Sequence, residues 1–246
     1  MTHSRGAIIV GASSGIGEAL ARRLAAEGYE IGLAARRTER MQAIGAELPT
    51  KSSVATMDVT DVDDARDGFF ELAEAMTSVD LVVISAGAAT VNRDLEWVPE
   101  RRTIDVNVRG FTAIATAAME FFEDDPEHAS ESDGHLVGIS SMAAHVGNGD
   151  APAYNASKAY VSTYLEGLRY RRTGRDVDVT ITTIEPGFVD TKLSLGGFWE
   201  CSPETAAEQI ARAIRNERAH AYVTRRWRAI AWLVDLAPEW LLRRLF

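Results

Sequence analysis

The sequence predicts an α/β chain: a single doubly wound parallel sheet of about seven strands with helices on both faces. Three observations carry that expectation. Short runs rich in Val, Ile and Leu alternate with longer amphipathic stretches along most of the 246 residues. The short runs are almost continuously apolar, which marks strands buried on both faces. The stretches between them are long enough for the right-handed crossover helices that parallel neighbours require.

The strand candidates are residues 7–10, 30–35, 53–57, 80–85, 135–140, 178–185 and 221–224. Helical patterns fall at 15–27, 38–48, 62–77, 99–122, 153–172 and 203–216. Segment 123–133 is acidic, polar and broken by Pro126, so it reads as an exposed loop. The α/β alternation resumes directly after it, so one domain spans residues 1–246.

Composition narrows the class. The chain is 46% hydrophobic and 25% charged, ordinary values for a globular protein able to bury a core without disulfides. Cys201 is the single cysteine, so no intramolecular disulfide forms and a reducing, cytoplasmic setting is expected. The apolar run at residues 6–11 is far too short to span a membrane. A net charge of −10 argues against nucleic-acid binding. Only three of the 26 basic residues are lysines, a balance compatible with a high-salt habitat or with a genome that favours arginine.

The first strand ends in Gly11-Ala12-Ser13-Ser14-Gly15-Ile16-Gly17 and a helical pattern follows at once. In an open α/β sheet a dinucleotide sits at the strand carboxyl ends, its pyrophosphate against a helix N-terminus, where glycines let backbone N–H groups approach. The spacing is G-x-x-x-G-x-G rather than the commoner G-x-G-x-x-G. The second strand ends in Ala35-Arg36-Arg37, with no carboxylate to bind a ribose 2′-hydroxyl. Arg36, helped by Arg37 and by Ser13 or Ser14, is expected to accommodate a 2′-phosphate and select NADP(H). Asp58 and Val59 close the third strand and Ser85-Ala86-Gly87 the fourth, on the same side of the sheet. Asp58 is placed to meet the adenine amino group, with the Val59 N–H beside it; taken alone, Asp58 reads as a helix cap.

Tyr154 and Lys158 lie four apart on a helical pattern and so share a face. An ammonium beside a phenol favours phenolate and should lower the tyrosine pKa, suiting it to proton exchange with a substrate oxygen. Ser140 and Ser141 end the fifth strand, Asn107 falls inside the long 99–122 helix, and Pro186-Gly187 ends the sixth strand with Val189 and Thr191 beyond.

In order and spacing, Gly11-x-x-x-Gly15-Ile16-Gly17, Ser85-Ala86-Gly87, Asn107, Ser141, Tyr154-x-x-x-Lys158 and Pro186-Gly187 resemble the short-chain dehydrogenase/reductase family in its roughly 250-residue form. The resemblance implies a Rossmann-type fold and hydride transfer between NADP(H) and an alcohol or carbonyl. It implies that Tyr154 is the acid/base and that Lys158 holds the nicotinamide ribose and depresses the Tyr154 pKa. Ser141 would bind the substrate oxygen, and Asn107 would hold a water in a proton relay. The family's spacing selects Ser141; the residues themselves leave Ser140 and Ser141 open. Residues 186–191 would line the nicotinamide, and a homodimer or homotetramer is expected. Ser85 stands where the family often has asparagine. A cofactor-sensing regulator on the same fold is the alternative, although such proteins usually lack the tyrosine or lysine.

The loop 188–202 combines glycines with Leu193, Leu195, Phe198 and Trp199, which suits either a lid over an apolar ketone or aldehyde or a fixed packing element. The extension 225–246 is rich in Trp, Leu and Arg and is divided by Pro238. It suits a subunit contact, a cover for the substrate cleft or, less well, a peripheral membrane contact.

Overall fold

In the computed structural model, residues 5–124, 134–171, 179–191, 199–240 and 242 are described. Seven strands form one sheet: β1 (Gly6–Val10), β2 (Glu30–Ala35), β3 (Ser52–Thr56), β4 (Leu81–Ile84), β5 (His135–Ile139), β6 (Thr180–Pro186) and β7 (His220–Val223). Every neighbouring pair is parallel, in the order β3-β2-β1-β4-β5-β6-β7.

Alternation along the strands divides the core into two layers. Ala7, Ile9, Ile31, Leu33, Leu81, Val83, Val137 and Ile184 face one way, against α1 (Gly15–Ala26), α2 (Thr38–Glu47) and α7 (Pro203–Arg215). Ile8, Val10, Ala34, Val82, Ile84, Leu136 and Ile181 face the other, against α3 (Val62–Glu74), α5 (Phe111–Asp124) and α6 (Pro152–Tyr170). Burial on both faces is why these strands read as unbroken apolar runs. Local signals set several helix starts. Ser202 caps α7 by accepting the Thr205 N–H at 3.2 Å, and proline follows in the first turn of both α6 and α7.

The single helix expected at 99–122 is a correction. The structure has α4 (Trp97–Ile104), a π-helical turn (Asp105–Gly110) and then α5. The Phe111 N–H bonds the Val106 carbonyl five residues back. Hydrophobic periodicity does not register one extra residue in a turn, and here tertiary contacts hold the wide turn. Both polar atoms of the Asn107 side chain are held by the Ala88 backbone, and Gly110 lies so close to Val59 that a Cβ would fall 2.5 Å from its carbonyl oxygen.

The last element, α8 (Trp227–Leu236), follows β7 and packs on the turn beyond β5. The acidic loop expected at 123–133 lies, from residue 125 on, outside the described residues, as do 192–198 of the expected substrate loop.

Candidate active site

The crossovers from β1 and β4 leave in opposite directions, which opens a crevice between their carboxyl ends. The residues after β1 and β4 meet there. Gly11 has φ +94°, and a Cβ on it would sit 2.5 Å from the Ala86 nitrogen. The Ser85 N–H donates to the Val10 carbonyl at 2.8 Å, continuing the sheet into the crevice. Gly17 presses the first turn of α1 onto this loop, where a Cβ would fall 2.3 Å from the Gly11 oxygen. Gly15 opens α1 with φ +58°, and Thr191 lies against it across the crevice. Ile16 packs partly into the core.

Ser14 stands at the N-cap of α1 yet makes no side-chain cap bond. Its hydroxyl instead accepts from Arg37 Nη2 at 2.8 Å. Arg37 also reaches the Ser13 hydroxyl, from Nε at 3.2 Å and Nη2 at 3.0 Å, and the Ser13 carbonyl at 2.9 Å. Arg37 is therefore the arginine fixed over the glycine turn, with neutral oxygens as its partners. Arg36, given the larger part from sequence, points to solvent with Nη1 4.0 Å from Asp58 Oδ2. Asp58 does not cap α3. Its Oδ1 accepts from the Thr60 N–H and hydroxyl, and Asp61 takes the cap position. Burial pushes the Asp58 carboxyl up, but the bonds from Thr60 and the charges of Arg36 and Arg102 hold it below its ordinary value. Val59 is buried against Gly110.

These features fit a dinucleotide. The glycine turn holds no Cβ at its closest approach, the first turn of α1 has no side-chain cap, and the Arg37 guanidinium lies over Ser13 and Ser14.

β5 delivers two serines to different neighbours. Ser140 is buried and bonds the Lys158 carbonyl at 2.9 Å and the Ser162 hydroxyl at 2.8 Å. Ser141 starts the 3-10 turn Met142–His145, accepts the Ala143 N–H at 3.1 Å, and is hydrogen-bonded to Tyr154. The Lys158 ammonium lies 5.9 Å from the centre of the Tyr154 ring and donates to the Ile139 carbonyl at 2.9 Å. Burial draws Lys158 down to about 8. The expected lowering of Tyr154 is a second correction. Burial pushes this phenol above its ordinary value, and the Ser141 hydrogen bond offsets that only in part. Desolvation of a phenolate outweighs an ammonium that is itself directed at a carbonyl.

Asn107 is buried beneath this group. Its Oδ1 accepts the Ala88 N–H at 2.7 Å, and Nδ2 donates to the Ala88 carbonyl at 2.8 Å and the Ser157 hydroxyl at 2.9 Å. Gly87 sits between Asn107 and Lys158, where a Cβ would be 3.7 Å from both polar groups. Asn107 thus ties the loop after β4 to the helix carrying Tyr154 and Lys158.

Pro186 closes β6. Beside Gly187 the Trp227 indole packs so closely that a Cβ would lie 2.0 Å from its ring atoms. Val189 is buried and bridges to Cys201, so strand-like bonds close the base of the 192–198 loop. Burial raises the Cys201 thiol above its ordinary value, away from thiolate.

Sequence reasoning missed an ionic chain behind the turn. Glu185, buried at the end of β6, accepts from Ser162 at 2.8 Å and bonds His145 Nε2 at 2.7 Å and His220 at 3.2 Å. His145 Nδ1 bonds Asp235 of α8 at 2.9 Å. The one signal in the sequence was a carboxylate in the final turn of an apolar strand, where an unpaired charge is costly.

Residues 5–196 match the family model for short chain dehydrogenases. An uncharacterized oxidoreductase of Myxococcus xanthus is 37% identical over 195 residues, covering 77% of this chain and 74% of that protein. Another from Mycobacterium tuberculosis is 32% identical over 250 residues, covering 96% and 95%. A solved 7beta-hydroxysteroid dehydrogenase shares the fold with a TM-score of 0.80 at 19% identity, covering 98% of this chain and 96% of that one. The glycine turn, the seven parallel strands and these likenesses agree: the chain belongs to the short-chain dehydrogenase/reductase family of nicotinamide-dependent oxidoreductases.

Proposed function

We propose that the protein is an NADP(H)-dependent reductase of apolar ketones or aldehydes, working as a homodimer or homotetramer. The observation that carries the cofactor choice is Arg37, held over Ser13 and Ser14 by four hydrogen bonds, beside a strand end with no carboxylate. A 2′-phosphate placed there gains charge-assisted bonds that a 2′-hydroxyl does not.

When bound, the nicotinamide supplies the hydride for reduction or takes it up in oxidation. Everything else falls to the chain. Ser141 donates a hydrogen bond to the substrate oxygen, polarising the carbonyl and holding it beside Tyr154. Tyr154, kept protonated by burial, gives its phenolic proton to that oxygen as negative charge develops there. Lys158 would hold the ribose hydroxyls, and its ammonium stabilises the phenolate that remains after proton transfer. Asn107 holds Ala88 and Ser157 together, which fixes the floor of the site. Asp58, Val59, Ser85, Ala86, Gly87, Pro186, Gly187, Val189 and Thr191 line the remaining cofactor path, with Arg36 a secondary contact at the adenosine ribose. Phe188, Trp199 and Trp227, whose rings meet edge to face beyond β6, bias the pocket toward hydrophobic substrates.

A fluorescence titration with NADPH and NADH tests this directly. Selective, tight NADPH binding followed by ketone-dependent NADPH oxidation is the expected result. NADH selectivity would reassign Arg37 to a purely structural part, and binding without turnover of any carbonyl would favour the regulatory alternative.

A further inference from the structure

We propose that the outer face of α8 docks on an anionic membrane surface, holding the protein peripherally at the bilayer. Two anchors, eight residues apart, fix how α8 is rotated. Trp227 is buried against Gly187, and Asp235 is bonded to His145 at 2.9 Å. With the helix held this way, Trp232, Leu233 and Leu236 project into solvent at 71%, 67% and 70% exposure, and Trp240 follows beyond Pro238 at 69%. The only charged residues of the helix, Arg228 and Asp235, are seven apart and so share one narrow stripe. A surface helix normally turns a polar face outward. Here the outward face is apolar, and the inner anchors prevent it from folding in.

Charge and residue type identify what covers it. Residues 225–240 carry Arg225, Arg226 and Arg228 against Asp235 and Glu239, a net +1 in a chain of net −10, so the remainder carries −11. An anionic lipid surface attracts this end and repels the rest, which selects the orientation with α8 toward the lipid. Tryptophan and arginine are the residues favoured at the headgroup boundary. No helix among the described residues is long and apolar enough to cross a membrane, so the contact is peripheral. Because His145 ends the turn that Ser141 begins, docking also brings the substrate side of the site to the lipid. That corollary, a membrane-partitioned carbonyl substrate, rests on the reductase reading; the docking face does not.

The test is co-sedimentation of the full-length protein with vesicles of phosphatidylcholine containing one-third phosphatidylglycerol, and with phosphatidylcholine alone. Expected are binding to the anionic vesicles, weaker binding to the neutral ones, and release as salt is raised. The double variant Trp232→Glu/Leu236→Glu should lose roughly tenfold or more of the vesicle affinity. Its NADPH titration should match the parent's, which shows that it is folded and tests the cofactor reading separately. No sedimentation of folded parent protein with anionic vesicles overturns the proposal, as does vesicle binding unaltered in the double variant. A parent dimer that light scattering shows converted to monomer by these two substitutions also overturns it, in favour of a second copy on this face.

Discussion

His145 and Glu185 meet at 2.7 Å behind the turn that Ser141 opens, one from the end of that turn and the other from the end of β6. Their bond raises His145 from 6.5 to about 9, against the opposing effect of burial. Burial pushes Glu185 up, but bonds from His145, His220 and Ser162 bring it to about 2. Asp235, His220 and Tyr222 are the other titratable groups facing the pair.

Linkage gives the pair a pH window. A raised histidine contributes fully below its unfolded value of 6.5 and loses that contribution as pH climbs through about 9. A depressed carboxylate contributes above 4.5 and loses it as pH falls toward about 2. Glu185→Gln should therefore destabilise most between those limits, by about 3 kcal/mol for a buried pair losing one partner. Urea unfolding of parent and variant across pH checks this; a difference independent of pH would show that the bond is not ionic.

Tyr154→Phe keeps the ring and removes only the proton donor. Carbonyl reduction should fall by about 10²- to 10⁴-fold with NADPH affinity unchanged. Near-normal turnover in that variant would assign the proton transfer to another group.

Arg37→Ala should weaken NADPH binding about ten- to hundredfold, the worth of one or two hydrogen bonds between charged groups, and leave NADH binding nearly unaltered. Equal loss for both cofactors would mean that Arg37 serves only to fix the Ser13-Ser14 loop. Arg36→Asp, which places a carboxylate at the end of β2, should shift preference toward NADH.

Gly187→Ala sets a methyl group against the Trp227 indole, at 2.0 Å from its ring atoms before any relaxation. The indole must move, at a cost of about 1–3 kcal/mol for an overpacked site. A lower urea midpoint and a red-shifted tryptophan emission should accompany release of α8. Unchanged emission would mean that the loop shifts instead of the helix.

The sheet and the glycine turn were legible because their signals are local. Strands buried on both faces leave unbroken apolar runs, and a G-x-x-x-G-x-G turn between strand and helix has one economical use. The balance between Arg36 and Arg37 was not legible, since adjacent residues diverge at a strand end and only the position of Ser13 and Ser14 decides which guanidinium reaches the turn. Nor was the direction of the Tyr154 shift, which depends on how deeply the fold buries the phenol. Glu185, His145 and Asp235 come from β6, the turn after β5 and α8, and no periodicity links residues 40 and 90 positions apart.

The π-helical turn at Asp105–Gly110 holds one residue more than a regular helix would need. Removing one residue there lets α4 and α5 run on as a continuous α-helix with both ends still in phase, so that rotation is lost only within the former wide turn. The grip of Asn107 on Ala88, which the wide turn positions, must then give way. Since α5 fills much of one core layer, the core would keep its phase and Asn107 would swing away from Ala88. The loop after β4 would then come loose from the helix that carries Tyr154 and Lys158, while the sheet and its glycine turn stayed intact. A single-codon deletion in this segment is thus a short route from an enzyme to an inert protein of the same shape.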